Sequence, residues 1–344
     1  MTNLYSVGIG VGSQNSKGEW LEVFYPAPVL APSAGIQSAL SQIIGEVKED
    51  AAVILDASMI TKLADAFTQA GESLQAELTG KLAASSKPVV AVALVSDSEA
   101  TSVPAAYLKL HLISHRLVKP HGTNLSGIFG VLPNVAWTNE GAIDLTELPQ
   151  RQLEARMQGC SLQVSCVDKF PKMTDYVVPG GVRIADTSRV RLGAYIGEGT
   201  TIMHEGFVNF NAGAEGPNMI EGRISAGVFI GAGSDLGGSS STMGTLSGGG
   251  NIVISVGKEC LLGANAGIGI PLGDRCTVEA GLYITAGTKV LMLDDQLNKV
   301  GKTKARELAG RTDLLFRRNS MTGAVECLTN QTAIELNEAL HAHN

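Results

Sequence analysis

Between residues 184 and 290 an aliphatic side chain returns every sixth position: Ile184, Val190, Ile196, Ile202, Val208; Ile224, Ile230, Leu236; Val256, Leu262, Ile268. The phase then slips by four and continues through Leu272, Val278, Ile284 and Val290. Four residues after most of these anchors comes a small one, as at Ser188, Ala194, Thr200, Gly206 and Ala212, then Ser234, Ser240, Cys260, Ala266 and Cys276. A period of six fits neither the 3.6 of an α-helix nor the alternation of an ordinary strand. It is the repeat of a parallel β-helix, in which each hexapeptide supplies one flat face and a tight turn. The anchor points inward and the small residue fills the corner beside it. Glycine makes up 41 of 344 residues and is concentrated in this region, often directly after the anchor, where a turn rejects a Cβ.

Two stretches interrupt the phase, Asn209–Glu221 and Thr242–Val253, and both are expected to project as loops. Residues 245–251 (TLSGGGN) hold too little apolar surface to pack alone, so they are expected to lie against a ligand or another subunit. Ahead of the repeat, residues 1–150 read as a small α/β domain. Strands are predicted at Ala51–Asp56 and Pro88–Leu94, and helices at Ile36–Val47, Ile60–Ala70 (with Ser58 or Thr61 near its start) and Ala105–Leu117. Residues 151–180 read as a linker or short α/β element, with a helix at Glu147–Gln158, a strand at Leu162–Val167 and a turn at Val177–Gly181. The repeat domain then spans 181–292, and a short C-terminal segment spans 293–344.

The net charge of −7 argues against a nucleic-acid binder. Within it the stretch 299–318 is locally basic, with Lys299, Lys302, Lys304, Arg306, Arg311, Arg317 and Arg318 against Glu307 and Asp313, which suits an anionic small ligand or a merely solvated segment. The five cysteines form no C-x-x-C pair and no zinc-type spacing. His111 and His115 stand at helical i,i+4 spacing without an evident third ligand, so they are read as packing residues. The N-terminus lacks the pattern of a signal peptide and no apolar run is long enough to span a bilayer, so a soluble, cytoplasmic protein is expected.

A set of local motifs narrows the chemistry. In order they are His204–Asn209 (HEGFVN), Glu221–Ser225 (EGRIS), Met243–Gly250 (MGTLSGGG), Cys260–Asn265 (CLLGAN), Val278–Tyr283 (VEAGLY) and Phe316–Ser320 (FRRNS). With His111–Leu117 (HLISHRL) and Val167–Pro171 (VDKFP), they closely resemble the tetrahydrodipicolinate N-succinyltransferase family, in its actinobacterial and pseudomonad-like branch, over nearly the whole chain. The resemblance implies a left-handed parallel β-helix and a homotrimer. It implies transfer of succinyl from succinyl-CoA to the amine of an amino-dicarboxylate.

It also implies Glu221 as the catalytic carboxylate, with Gly244 beside it. Glu221 would act either as a nucleophile forming an acyl-anhydride or as a general base. The competing structural reading is that Glu221 ends a coil turn and pairs with Arg223. For the donor the resemblance implies Arg223, Gly238, Ser241, Ala264, Glu279, Ala280, Gly287, Lys304 and Arg317, Arg318, Asn319 and Ser320. Of these, Lys304, Arg317 and Arg318 make physical sense against CoA phosphates, and Glu279 reads equally well as structural. The resemblance further implies a divalent cation, with magnesium the expected ion, which some close relatives place at the trimer axis through the position of Glu205 and an acidic residue where this chain has Ser188. That leaves Glu205 with half of the ligand set. His204 reads as structural or axis-lining.

Three other readings stay open on the same fold. One is an acetyl-CoA-dependent transferase, one a zinc hydratase that would need three converging histidines, and one an inert trimeric scaffold.

Overall fold

The structure is a computed structural model that describes residues 3–244 and 252–329. The chain forms two compact units: residues 1–118, 122–171 and 175–177 in the first, and 119–121, 172–174 and 178–344 in the second.

The first unit contains β1 (Ser6–Gln14), β2 (Trp20–Phe24), β3 (Val29–Leu30), α1 (Ala34–Ile44), β4 (Ala51–Leu55), α2 (Ala57–Gln69), α3 (Ser73–Leu82), β5 (Val89–Leu94), α4 (Val103–Ser114), α5 (Ile128–Val131), β6 (Val135–Thr138), β7 (Gly141–Asp144), α6 (Leu148–Met157) and β8 (Val164–Asp168). An antiparallel sheet of order β2-β1-β5-β4 has β5 at its centre, buried along its whole length. Strand β1 (SVGIGVGSQ) escapes the sequence reading because its glycines dilute the apolar alternation. A Cβ at Gly8 or Gly10 would fall 2.7 Å from the Tyr25 ring, which packs flat on the strand backbone. Helix α1 starts at Ser33, whose Oγ accepts from the Ile36 N–H. Helix α2 is capped by Asp56 rather than by Ser58 or Thr61, because the Asp56 carboxylate accepts from the Met59 N–H at 2.8 Å. Strand β8 pairs with β6 in a small sheet of order β7-β6-β8, so most of the 151–180 stretch is an integral part of this unit.

His111 lies in the core of this unit. Its Nε2 accepts from the Tyr25 N–H at 3.2 Å, and its Nδ1 lies 2.8 Å from the Tyr107 carbonyl, which places the ring proton on Nδ1. Complete burial drives its pKa down to about 3. His115 stacks on it, and the pair serves packing.

The second unit is a coil of short parallel strands on three faces. The first face stacks Ala194–Ile196, Ala212–Ala214, Phe229–Ile230 and Ser255–Val256. The second stacks Arg183–Ile184, Thr200–Ile202, Asn218–Ile220, Asp235–Leu236, Leu261–Leu262, Thr277–Val278 and Leu314–Arg318. The third stacks Phe207–Val208, Arg223–Ile224, Ser241–Thr242, Gly267–Gly269 and Tyr283–Thr285. Anchors named from the six-residue period line the lumen: Ile202, Leu236, Leu262 and Val278 are fully buried, in register with Ile220, which the period did not pick out.

Coil length varies, and this corrects one expectation. Ile196 pairs with Ala214, an 18-residue step, whereas Ala214 pairs with Ile230, a 16-residue step. The stretch 209–221 therefore does not project. It supplies the strands Ala212–Ala214 and Asn218–Ile220, and one corner is made two residues shorter between Ile220 and Ile224. Ala214 is too small to be read as an anchor, which is why the phase looks broken there. The slip between Ile268 and Leu272 is the same device, since Leu272 bridges to Val256. By contrast Ile230 pairs with Val256 across 26 residues, so the second interruption is a true insertion, and residues 245–251 lie outside the described residues.

Past Thr285 the chain leaves the coil through the strands Lys289–Leu293 and Lys299–Lys304. It returns to stack Leu314–Arg318 on Thr277–Val278, with Val325–Thr329 between the two pieces.

Candidate functional site

Register places the candidate residues along one corner of the coil, where the second face turns into the third. Ile220, Leu236, Leu262, Val278 and Phe316 are aligned, so the residues that follow them (Glu221, Gly237, Gly263, Glu279, Arg317) form one column. The next column is Gly222, Gly238, Ala264, Ala280 and Arg318. The backbone is closed by Glu221 N–H to Leu236 O, Gly237 N–H to Leu262 O, Gly263 N–H to Val278 O and Glu279 N–H to Phe316 O, each at 2.8–2.9 Å. Small residues are required because coils meet closely here. A Cβ at Gly263 would lie 2.5 Å from the Ala280 nitrogen, and one at Gly222 would lie 2.1 Å from Ser240 Oγ.

Glu221 is half-buried at the head of this column. Its carboxylate makes no hydrogen bond or ion pair with any described residue; a Cβ added at Gly238 would be 3.6 Å from Glu221 Oε2. It does not pair with Arg223. The Arg223 guanidinium instead donates from Nε and Nη2 to Ser241 Oγ at 3.2 and 2.9 Å, across the Arg223–Ser241 register pair of the third face. An unpaired, partly shielded carboxylate beside a cationic side chain and a glycine is a group left available for a ligand.

Other predicted residues fall into place less uniformly. Gly244 is not beside Glu221 in this chain. Arg223 is level with Ser241, so Glu221 is level with Ser239, and Gly244 lies five residues farther along at the opposite end of the third face. That separation is on the order of 15 Å at the rise of an extended chain. Glu279 Oε2 accepts the Arg318 N–H at 2.7 Å, which ties the two columns together. Arg317 is engaged along one edge of its guanidinium. Its Nε donates to Glu326 Oε2 at 3.0 Å, and Asn319 donates to the other oxygen of the same buried carboxylate at 2.8 Å. Burying Glu326 without a cation would be costly, and Arg317 supplies that cation through its Nε edge. Arg318, Ser320, Lys304 and Gly287 remain exposed, and Lys304 pairs in register with Lys289 next to the turn that carries Gly287.

Glu205 is exposed and its Oε1 lies 3.0 Å from His204 Nδ1. Among the described residues no three His, Cys, Asp or Glu side chains come together as a metal site. Ser188 is held by Asp186, which accepts from both its N–H and its hydroxyl. Those two bonds lower the Asp186 pKa.

The sequence reading missed Arg189, Phe207, Ser239 and Ser240 as site residues, which with Glu205 and Arg223 line an open cleft of about 400 Å³. Arg189 carries no motif of its own; the only signal was that it precedes the anchor Val190, as Phe207 precedes Val208 and Arg223 precedes Ile224.

Three stretches match family models: residues 38–130 "Tetrahydrodipicolinate N-succinyltransferase N-terminal", residues 132–172 the corresponding "middle" model, and residues 253–286 "Hexapeptide repeat of succinyl-transferase". A 2,3,4,5-tetrahydropyridine-2,6-dicarboxylate N-succinyltransferase from Pseudomonas paraeruginosa is 68% identical over 99% of both chains. Its namesake from Vibrio cholerae is 58% identical over 99% of both. A solved structure from Campylobacter jejuni, described as a 2,3,4,5-tetrahydropyridine-2-carboxylate N-succinyltransferase, is 34% identical. It superposes with a TM-score of 0.89 over 97% of this chain and 94% of that one. Among the described residues no helix is long and apolar enough to cross a membrane. The chain belongs to the tetrahydrodipicolinate N-succinyltransferase family of hexapeptide-repeat proteins.

Proposed function

We propose that the protein transfers the succinyl group of succinyl-CoA to the amine of ring-opened 2,3,4,5-tetrahydropyridine-2,6-dicarboxylate, a step toward diaminopimelate and lysine. The observation that carries this reading is the free carboxylate of Glu221, placed beside Arg223 at the head of a corner column that leads to Arg318. In the general-base form, the amine nitrogen attacks the thioester carbonyl carbon while Glu221 takes its proton. The C–S bond then breaks, and the CoA sulfur leaves and is protonated. In the nucleophilic form, Glu221 first displaces CoA to give a succinyl anhydride, which the amine then opens. Backbone N–H groups at the glycine-rich corner are suited to the developing oxyanion.

The donor is read as lying along the edge past Gly238, Ala264 and Ala280, with Ser241 and Arg223 at its acyl end and Gly287, Lys304, Arg318 and Ser320 toward its phosphates. A left-handed coil and a homotrimer belong to the same reading, as does a cytoplasmic location. Separation of Gly244 from Glu221 within one chain supports an active site shared between copies, in which Gly244 of one subunit meets Glu221 of the next.

The test is CoA release from succinyl-CoA with and without 2-aminopimelate, in the wild type and in Glu221→Gln. Acceptor-dependent release that the variant loses is expected. Release retained in the variant moves the chemistry off Glu221, and absence of release from the wild type sinks the reading. Acetyl-CoA in the same assay separates the acetyl-dependent alternative.

A further inference from the structure

We infer that the cleft lined by Arg189, Phe207 and Arg223 is a subsite for a carboxylate carried on a short aliphatic chain, with Arg189 its specificity-determining residue. This deepens, and rests on, the transferase reading above.

Three neighbouring strand positions build it. Val190 bridges to Val208, and Val208 pairs with Ile224, so Arg189, Phe207 and Arg223 occupy the same register on successive coils. Val190, Val208 and Ile224 fill the lumen, fully buried. Strand alternation therefore turns Arg189, Phe207 and Arg223 outward together. The two arginines flank the aromatic ring, their backbones about 10 Å apart at the ordinary strand spacing.

Neither guanidinium has a carboxylate partner among the described residues. Arg189 donates from Nε to Gly206 O and from Nη2 to Glu205 O, each at 3.1 Å, and these neutral acceptors fix its plane while leaving its charge uncompensated. Arg223 is held the same way by Ser241. In both, Nη1 makes no hydrogen bond within the described residues. Ser240 also lines the cleft, is 1% exposed, and its hydroxyl has no hydrogen-bond partner among the described residues.

Charge selects the class of ligand. Among the lining residues two guanidinium groups face one carboxylate, Glu205, and their planar donor forks suit the two oxygens of a carboxylate. The Phe207 ring offers an apolar surface to a methylene chain. Two sources carry that chemistry: the distal carboxylate of the succinyl donor, and a carboxylate of the amino-dicarboxylate acceptor.

The test compares succinyl-CoA with butyryl-CoA, which has the same chain length without the distal carboxylate, in wild type and Arg189→Gln, each titrated against 2-aminopimelate. Losing a charge-assisted bond predicts a roughly 10- to 100-fold fall in the affected kcat/KM. A fall with succinyl-CoA alone, butyryl-CoA being unaffected, assigns the subsite to the donor. A rise in the KM for 2-aminopimelate with both donors assigns it to the acceptor. Changes under twofold throughout, or an equal loss of kcat with every KM unchanged, overturn the proposal. Wild-type protein that releases no CoA overturns the transferase reading instead. Should Arg189→Gln fail to fold, Glu205→Gln carries the test. Among the described residues that exposed side chain contacts His204 alone, and removing its charge is expected to lower the KM of the carboxylate ligand about two- to threefold, as for an exposed charge pair. An unchanged or raised KM overturns the proposal.

Discussion

Glu221 and Arg223 stand two residues apart and do not neutralise each other, because Arg223 is drawn across the third face to Ser241. Glu221→Gln preserves shape and removes the charge. It is expected to lower kcat by roughly 10²- to 10⁴-fold, the usual range for a lost acid–base group, with little change in KM or melting temperature. His111 makes the opposite kind of prediction, about stability. Its folded pKa, about 3, lies below the unfolded value near 6.5, so the unfolded chain binds the proton more readily. The contribution of neutral His111 is complete above pH 6.5 and is lost as pH falls from there toward 3. Thermal unfolding followed between pH 7 and pH 4.5 should show a falling midpoint. His111→Gln should flatten that slope, while costing about 1–3 kcal/mol at pH 7 for the backbone groups of Tyr25 and Tyr107 left poorly paired.

At the scale of the elements, the six-residue period made the coil legible because each anchor is a large aliphatic side chain in a lumen that admits nothing else. The reading failed where that signal was carried by size alone. Ala214 fills an anchor position with one methyl group, and two residues are missing between Ile220 and Ile224, so a coil looked like a loop. Strand β1 was hidden for a related reason, its glycines being demanded by the Tyr25 ring. Within the site, Glu221 and Arg223 were legible through their motif. Arg189 was not, since its place depends on register between coils and not on its neighbours in sequence. The corner itself is testable. Gly222→Ala would place a Cβ 2.6 Å from the Ser240 carbonyl oxygen, which cannot rotate away. A loss of about 1–3 kcal/mol is expected, as for other overpacking, together with loss of activity from displacement of Glu221. Full activity in Gly222→Ala would show that this corner does not set the carboxylate. Leu262→Ala, whose side chain fills the lumen, should cost about 2–5 kcal/mol in chemical denaturation.

For the whole molecule the prediction concerns assembly. A homotrimer should elute as three copies rather than as the 35.8-kDa single chain. If Glu221 and Gly244 of different copies share one site, Glu221→Gln and Gly244→Val are each inactive alone. Co-assembled, they should recover activity at about a quarter of the sites, the statistical share that receives an intact residue from each copy. No recovery would place both residues' roles within one chain.

The corner column has one more consequence. Glu221, Gly237, Gly263, Glu279 and Arg317 rise one coil at a time, with Arg318 beside the last. At about 4.8 Å per coil, the column puts the exposed cation roughly 19 Å above the carboxylate. That distance cannot drift, because it is counted in hydrogen-bonded layers, and it can change only by a whole layer. On the proposed donor path the coil acts as a ruler with fixed graduations, which measures a donor by its length before its acyl group is inspected. A succinyl thioester of pantetheine, too short to reach the upper mark, should still react at Glu221 but with a KM raised well above that of succinyl-CoA.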